Sequence, residues 1–316
     1  MTGTSKPRIG FAGAGVMGRP MAHRLLAAGY PLTVHARTPK KVSSLLEAGA
    51  ALATTPRQLA AHADIVIGCL LDEAAFHAVY FGDDGLLTAI REGQILIEHG
   101  THAPRLARAA AARLSACGAE LLDIPVTGGP RRADEGTLTA IAGGQADHLD
   151  LVRPLVGTYC SQIVHVGPVG AGLELKLVNQ LLVSIHVAAA AEAAALIDRF
   201  ALPAEQSKAV LMSGWAASTM LDYCLPAALT PSDAPSGSTV GGLHAVQDLV
   251  ADAARALELD LPVFASAQRL FDSLLQSGAA YHDIAQLARA YDRHGSTGTE
   301  GPGQPLSAGA ACKESP

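Results

Sequence analysis

Between Gly172 and Pro203 the chain contains neither glycine nor proline, and from Leu177 to Ala191 it carries no formal charge. A run of this kind, opened by Gly167, Gly170 and Gly172, reads as a loop feeding one long helix. Apolar residues surround its axis on nearly every side, the mark of a helix that is buried. Lys176 and Glu192 bracket it more tightly than the ~20 apolar residues a bilayer crossing needs, so no membrane is expected. Lys176 is the odd residue, a cation at the start of a buried helix with Asn179 and Gln180 three and four positions on and therefore on its own face. Two readings are open for it: the side chain snorkels from the first turn to water, or its ammonium points into a cleft beside two amides.

With 316 residues, 49% of them apolar, the chain has material for two domains with real cores. The charged share is only 16%, the formal net charge is −6 and no basic run exceeds two residues, which argues against a nucleic-acid partner. The opening MTGTSKPRIG has no apolar stretch of signal-peptide length, so a cytoplasmic location is expected. Cys69, Cys117, Cys160, Cys224 and Cys312 are scattered without CxxC spacing, and no histidine pair falls at HExxH or HxH spacing. Reduced thiols and no metal site are the expectation.

Arg8–Ala12 is a short apolar run that ends in Gly13-Ala14-Gly15-Val16-Met17-Gly18, a match to GxGxxG. Met21, Leu25 and Leu26 continue at helical spacing to Gly29, and Leu32–His35 is a second strand at about the interval a βαβ dinucleotide unit requires. Glycines there let the backbone approach a pyrophosphate, which rests on the free N–H groups of the helix start. The second strand runs into His35-Ala36-Arg37-Thr38-Pro39-Lys40-Lys41, with no carboxylate to bond a ribose 2′-OH. Arg37 can fork onto a 2′-phosphate and Thr38 can donate its hydroxyl, so NADP is favoured over NAD, the alternative being that these are solvated turn residues.

Alternation persists beyond this unit, with helices near Pro39–Ala48, Pro56–His62, Glu73–Val79 and Ala103–Cys117. Strands are expected at Ala51–Ala53, Ile65–Leu70, Gln94–Glu98, Glu120–Ile124, Thr137–Ala142 and Ile163–Val166. The fold class is therefore α/β, an N-terminal Rossmann domain (1–166) with a doubly wound parallel sheet covered on both faces. Ligands of such sheets gather at the strand C-termini. From Gly167 the strand signal disappears and helices are expected at 171–200, 203–214, 242–258, 262–277 and 281–293. The long helix thus joins the sheet to an all-α C-terminal domain (167–294). Leu229–Gly242 reads as a loop, and the tail 295–316 has the makeup of a disordered segment.

Four motifs give the chain its resemblance to the β-hydroxyacid dehydrogenase family, which includes 3-hydroxyisobutyrate dehydrogenase and the tartronate, glyoxylate and succinic semialdehyde reductases. Gly10 to Ala22 is similar to GFxGxGxMGxPMA, and Asp123-Ile124-Pro125-Val126-Thr127-Gly128-Gly129 to DAPVSGG. Gly136-Thr137-Leu138 with Gly143-Gly144 is similar to GTL…GG, and Gly170-Ala171-Gly172 with Lys176 to Gln180 to GxGxxxKxxNN. The resemblance covers about residues 8–293. It implies hydride transfer between a nicotinamide and a short β-hydroxy acid or its semialdehyde, with Lys176 as acid/base and Asn179 and Gln180 beside it. Thr127, Gly128 and Gly129 would hold the substrate carboxylate. Leu70 and Leu71 would flank the cofactor ribose, Thr101 the nicotinamide, and Gln247 would stand at a cofactor-contacting position. It also implies a homodimer or higher homo-oligomer formed through the helical domain.

The departures are as informative. Gln180 stands where relatives have a second Asn, Gly100 and Glu98 replace the Ser and Asp of DxST, Gln247 replaces the Lys of KDL, and Leu71 replaces a Pro. A lost hydroxyl and a longer amide are expected to make room for a bulkier or less polar substrate. Imine reductases resemble the same two-domain plan but usually lack the lysine, so Lys176 counts against that alternative. A catalytically silent NADP-binding protein is the alternative from another class.

Overall fold

In the computed structural model residues 6–229 and 238–291 are described. The opening unit is β1 (Ile9–Ala12), α1 (Gly18–Ala27) and β2 (Leu32–His35), followed through a 3₁₀ turn at Pro39–Val42 by α2 (Ser43–Glu47), β3 (Ala51–Ala53) and α3 (Pro56–His62). Next come β4 (Ile65–Gly68), α4 (Glu73–Phe81), β5 (Ile95–Glu98), α5 (Pro104–Ser115) and β6 (Glu120–Asp123). The sheet is completed by β7 (Val126–Thr127), α6 (Gly129–Glu135), β8 (Leu138–Gly143), α7 (Ala146–Val156) and β9 (Cys160–Gly167). Beyond Gly167 come α8 (Ala171–Arg199), α9 (Ala204–Met212), α10 (Thr219–Leu229), α11 (Val240–Ala256), α12 (Pro262–Gln276) and a 3₁₀ segment at Ile284–Tyr291. No strand follows Gly167 among the described residues, only the isolated bridge between Thr239 and Asp283.

The strand order is β3-β2-β1-β4-β5-β6-β8-β7, with β9 beside β8. Pairing is parallel from β3 through to β6, so the expected doubly wound plan holds there. Every residue of β1, β4 and β5 is buried, as apolar strands covered on both faces must be. Alternate side chains serve the two sides: Phe11, Ile67 and Ile97 pack under α1 with Met21 and Leu25, whereas Val66 and Leu96 pack with Leu59, Phe76 and Leu106. The strand order reverses at β1, which pairs with both β2 and β4, and the crevice above that reversal is where ligands of such sheets bind.

Three features were not legible beforehand. The sheet turns antiparallel where β8 meets β6 and β7, before β9 rejoins in parallel. The helices α6, α7 and α10 were missed: α6 begins Gly-Pro and is largely charged, while α7 and α10 each contain a proline, Pro154 and Pro226, that reads as a breaker. The expected loop 229–242 is narrower than its sequence implies. Leu229 ends α10, and the Thr239 hydroxyl accepts from Gly242 N (3.1 Å) to cap a helix already begun at Val240. Positions 230–237 and the tail after His294 lie outside the described residues.

The long helix departs from expectation in two respects. It runs 29 residues, so length and apolarity alone would let it cross a membrane, and the uncharged window between Lys176 and Glu192 understated it. Nor is it buried all round. Leu173, Lys176, Leu177, Val187, Ala190, Ala191 and Ala194 face the sheet and the other helices, while Leu175, Val178, Leu182, Leu196 and Phe200 form an exposed stripe on the opposite side. Its N-terminus is pinned to the sheet by Asp123, whose carboxylate accepts from Gly170 N (2.7 Å) and Leu173 N (2.9 Å). Gly172 is required at this junction: a Cβ there would collide with the carbonyl oxygens of Asp123 and Ile141.

Candidate active site

The first turn after β1 separates structural glycines from an open one. Gly13 has φ +96°, and a Cβ on it would overlap the Cys69 carbonyl; a Cβ on Gly18 would overlap the carbonyl of Gly13. Gly15 is exposed with nothing within 4 Å of its Cβ position, a cradle through which a bulky phosphate group could reach main chain. No side chain caps α1 at Met17, so its first N–H groups are not claimed by a capping residue. Val16 is exposed, and Ala14 and Met17 are half-buried around the same turn. These residues fit the pyrophosphate of a dinucleotide. Arg37 and Thr38 follow β2 at the surface, and Arg37 forms no ion pair with another described residue. Leu70 is buried after β4, Leu71 is exposed, and Thr101 is half-buried after β5.

The second half of the crevice is where α8 meets the short β7. Lys176 is only 8% exposed, and its Nζ donates to the carbonyl of Val126 at 2.9 Å. The snorkelling alternative is excluded, because the side chain turns inward to the strand instead of outward to water. Burial lowers its pKa to about 8. One residue along β7, the Thr127 hydroxyl donates to Oδ1 of Asn179 at 3.5 Å, so Lys176 and Asn179 both engage β7. Gly128 and Gly129 continue from it with φ of +131° and +76°, a backbone path that L side chains rarely follow. Gln180 is half-buried, and its amide makes no hydrogen bond with another described residue.

Gln247 lies on the buried face of α11 with Leu243 and Val250, fully enclosed, and neither atom of its amide has a hydrogen-bond partner among the described residues. A buried amide left unpaired costs about 1–3 kcal/mol, which a bound polar group would relieve. Sequence reasoning named Glu98 only as a departure from DxST and missed the cluster around it, although an acid closing the apolar run ILIE is a signal for it. The Glu98 carboxylate is wholly buried and accepts from Tyr80 Oη (3.0 Å) and Gly100 N (2.8 Å). A Cβ on Gly100 would collide with His102 Nε2 and lie 2.5 Å from the Leu70 carbonyl and 2.6 Å from Glu98 Oε1. Gly100 therefore opens no room for a bulkier substrate; the space is already filled. Asp123 was read only as the start of a motif, and its clamp on α8 shows itself in the geometry alone.

Comparison with known proteins supplies the family. Residues 8–167 match the family described as the NAD binding domain of 6-phosphogluconate dehydrogenase, and residues 170–291 that described as the NAD-binding of NADP-dependent 3-hydroxyisobutyrate dehydrogenase. The chain is 34% identical over 291 residues to an NAD-dependent L-serine dehydrogenase of Pseudomonas aeruginosa, covering 90% of this chain and 98% of that one. Among solved structures, 3-hydroxyisobutyrate dehydrogenase from Salmonella typhimurium superposes with a TM-score of 0.81 at 28% identity, over 89% of this chain and 99% of that one. Psf3 in complex with NADP+ and 2-OPP superposes with a TM-score of 0.82 at 30% identity and the same coverage.

A lysine held at a lowered pKa makes its own charge a load on the fold. Below about 8 both folded and unfolded chains carry the ammonium, so the burial penalty is felt in full; between about 8 and the ordinary 10.5 only the unfolded chain is protonated and stability rises with pH. Lys176→Met is therefore expected to stabilise the protein at pH 7 by about 2 kcal/mol, the burial penalty less the lost bond to Val126. That gain should fade by pH 10. Urea unfolding at both pH values checks this, and a variant less stable than wild type at pH 7 would contradict it.

Proposed function

The chain belongs to the β-hydroxyacid dehydrogenase family, and we propose that Lys176 is the acid/base of that family's reaction in this protein. The reaction is NAD(P)-dependent oxidoreduction, a hydride passing between nicotinamide and a short β-hydroxy acid or its semialdehyde. The bound cofactor supplies or accepts the hydride. What this chain adds is a proton held at the Lys176 amine. In reduction the ammonium gives its proton to the oxygen becoming an alkoxide; in oxidation the neutral amine takes one from the alcohol. The observation that carries this reading is the buried amine on the Val126 carbonyl, with a pKa of about 8 that keeps both protonation states accessible near neutrality.

Around that amine, Asn179 is oriented by Thr127, and Gln180 lies one position on, with its amide free to meet substrate. Backbone N–H groups of Thr127, Gly128 and Gly129 receive the substrate carboxylate, a role helped by the positive φ of the two glycines. On the cofactor side Gly13, Ala14, Gly15, Val16, Met17 and Gly18 carry the pyrophosphate, Leu70, Leu71 and Thr101 flank the ribose and nicotinamide, and the unpaired amide of Gln247 turns to the same ligand. Arg37 and Thr38 select NADP: an exposed guanidinium without an ion-pair partner is suited to a 2′-phosphate.

The same reading divides the chain into a dinucleotide-binding part (1–166) and a helical part (167–294), in keeping with the end of the strands at Gly167. It makes the protein a cytoplasmic homodimer. Leu175, Val178, Leu182, Leu196 and Phe200 fall on one stripe of α8, and a second copy of the chain laid along it would remove that apolar surface from water.

Lys176→Ala is expected to lower kcat by about 10²–10⁴-fold, the usual worth of a positioned proton donor or acceptor. In the wild type the oxidation rate should rise with pH through about 8 and the reduction rate fall, and the variant should lose both limbs. A loss under about tenfold would end the acid/base assignment. Arg37→Ala should weaken NADPH binding by about 10–100-fold and leave NADH binding unchanged, measured by fluorescence titration; equal effects on the two would remove the case for NADP. Light scattering coupled to size exclusion should return twice the chain mass, and a monomer would refute the α8 interface.

A further inference from the structure

Glu98 and Asp123 are the acids with no solvent exposure among the described residues. Asp123 is occupied by the N-terminus of α8, whereas Glu98 has no part in the proton transfer. It is the last residue of β5, beside the end of β4 and the crevice above the reversal of strand order. Oε2 accepts from Tyr80 Oη (3.0 Å), and Oε1 accepts from Gly100 N (2.8 Å) and Leu70 N (3.4 Å). Two of these are backbone N–H groups that can only donate and the third is a hydroxyl placed to donate, so both oxygens are served as acceptors, the set that suits a carboxylate. The base within ion-pair reach is His102, whose Nε2 lies 3.4 Å from Oε1 without forming a hydrogen bond. Room for the carboxylate is made deliberately by the backbone: a Cβ on Gly68 would collide with Oε2, and one on Gly100 would lie 2.6 Å from Oε1.

The hydrogen bonds made to the carboxylate thus come from a hydroxyl and two backbone N–H groups, with the His102 ring 3.4 Å away. The field of Glu98 extends outward. Burial chiefly, and Glu98 in addition, push the Cys69 thiol up to about 12 and the Tyr80 hydroxyl well above its ordinary value; at His99 burial lowers the value, opposed first by the bond to the Ile124 carbonyl and then by Glu98. Leu70, Gly100 and Thr101, the strand-end residues on the nicotinamide side of the crevice, are bonded to Glu98 or within three positions of it. The nicotinamide ring is a cation when oxidised and neutral when reduced, so a negative charge near its site would stabilise one redox form over the other.

We propose that Glu98 biases the bound cofactor toward its oxidised, cationic form, acting through its charge and not through contact with the substrate. The proposal rests on the reading that the nicotinamide lies beside Leu70, Leu71 and Thr101. Glu98 is thus a positioning residue for the two strand-end loops and the element that sets the relative affinity for the two redox states.

The test is equilibrium binding to the full-length protein, with NADPH followed by its fluorescence and NADP+ by calorimetry. Glu98→Gln keeps the shape and removes the charge, and should weaken NADP+ by at least about fivefold relative to NADPH. Glu98→Asp keeps the charge and should restore the wild-type ratio, which a purely structural role would not predict. If Glu98→Gln weakens both cofactors by one factor, or neither, the proposal is overturned. Should thermal melting show that variant unfolded, Tyr80→Phe replaces it: withdrawing one donor leaves the carboxylate less compensated and should shift the ratio further toward NADP+, and an unchanged ratio overturns the proposal. A wild-type protein that binds neither cofactor would instead contradict the cofactor reading itself.

Discussion

The chemistry of this protein depends on how closely a helix start can approach a sheet. The backbone of Gly172 comes so near the carbonyl oxygens of Asp123 and Ile141 that no side chain fits between them. Gly143 faces the same junction, since a Cβ on it would lie 2.5 Å from the Asp123 carboxylate and 2.8 Å from Gly172 N. Into this contact Asp123 places its charge on two N–H groups at the positive end of α8. Burial raises the pKa of that carboxyl while the bonds from Gly170 and Leu173 oppose the shift, so the clamp couples a desolvated acid to a helix terminus. One turn farther along α8, Lys176 arrives beside β7, where its Nζ finds the Val126 carbonyl.

In the proposed acid/base role, Lys176 combines a cost in stability and a gain in function in one residue. An apolar side chain would suit its enclosure better, and the fold tolerates the ammonium because one hydrogen bond and a rigid helix hold it. The same enclosure brings the amine to a pKa of about 8, close to the working range where proton donors and acceptors are most effective. The destabilising and the useful consequences of burial cannot be separated at this position.

Much of this was legible in the sequence, for reasons that differ by element. The strands β1, β4 and β5 are runs of branched and apolar residues bounded by glycine or a helix cap, so both type and position could be read from them. The GxGxxG turn was legible because two of its glycines are demanded by the protein's own backbone, at Cys69 and Gly13. The short β7 and the antiparallel joint at β8 were not, because two residues carry no periodicity and pairing direction is set by the connection. The outward stripe of α8 was hidden for another reason: an apolar helix looks the same in sequence whether its second face packs within the chain or waits for another copy.

The site's departures from its relatives divide along the same line. Gln180, Gly100 and Gln247 looked alike in sequence, each a change near one cleft, and a bulkier or less polar substrate was the expectation from the first two. In three dimensions they separate. Gly100 has lost its side chain because Glu98, His102 and the Leu70 carbonyl occupy that volume, so the change is internal to the protein and is coupled to the acid at position 98. Gln180 and Gln247 instead retain amides that no other described residue satisfies, and Gln247 does so with no access to water. An enclosed polar group without a protein partner is open to a ligand, whereas a glycine with no space left for a Cβ belongs to the fold. On the proposed assignment Gln180 faces the substrate and Gln247 the cofactor, so the two unsatisfied amides serve different ligands, and the glycine belongs with Glu98 to the packing of the strand ends.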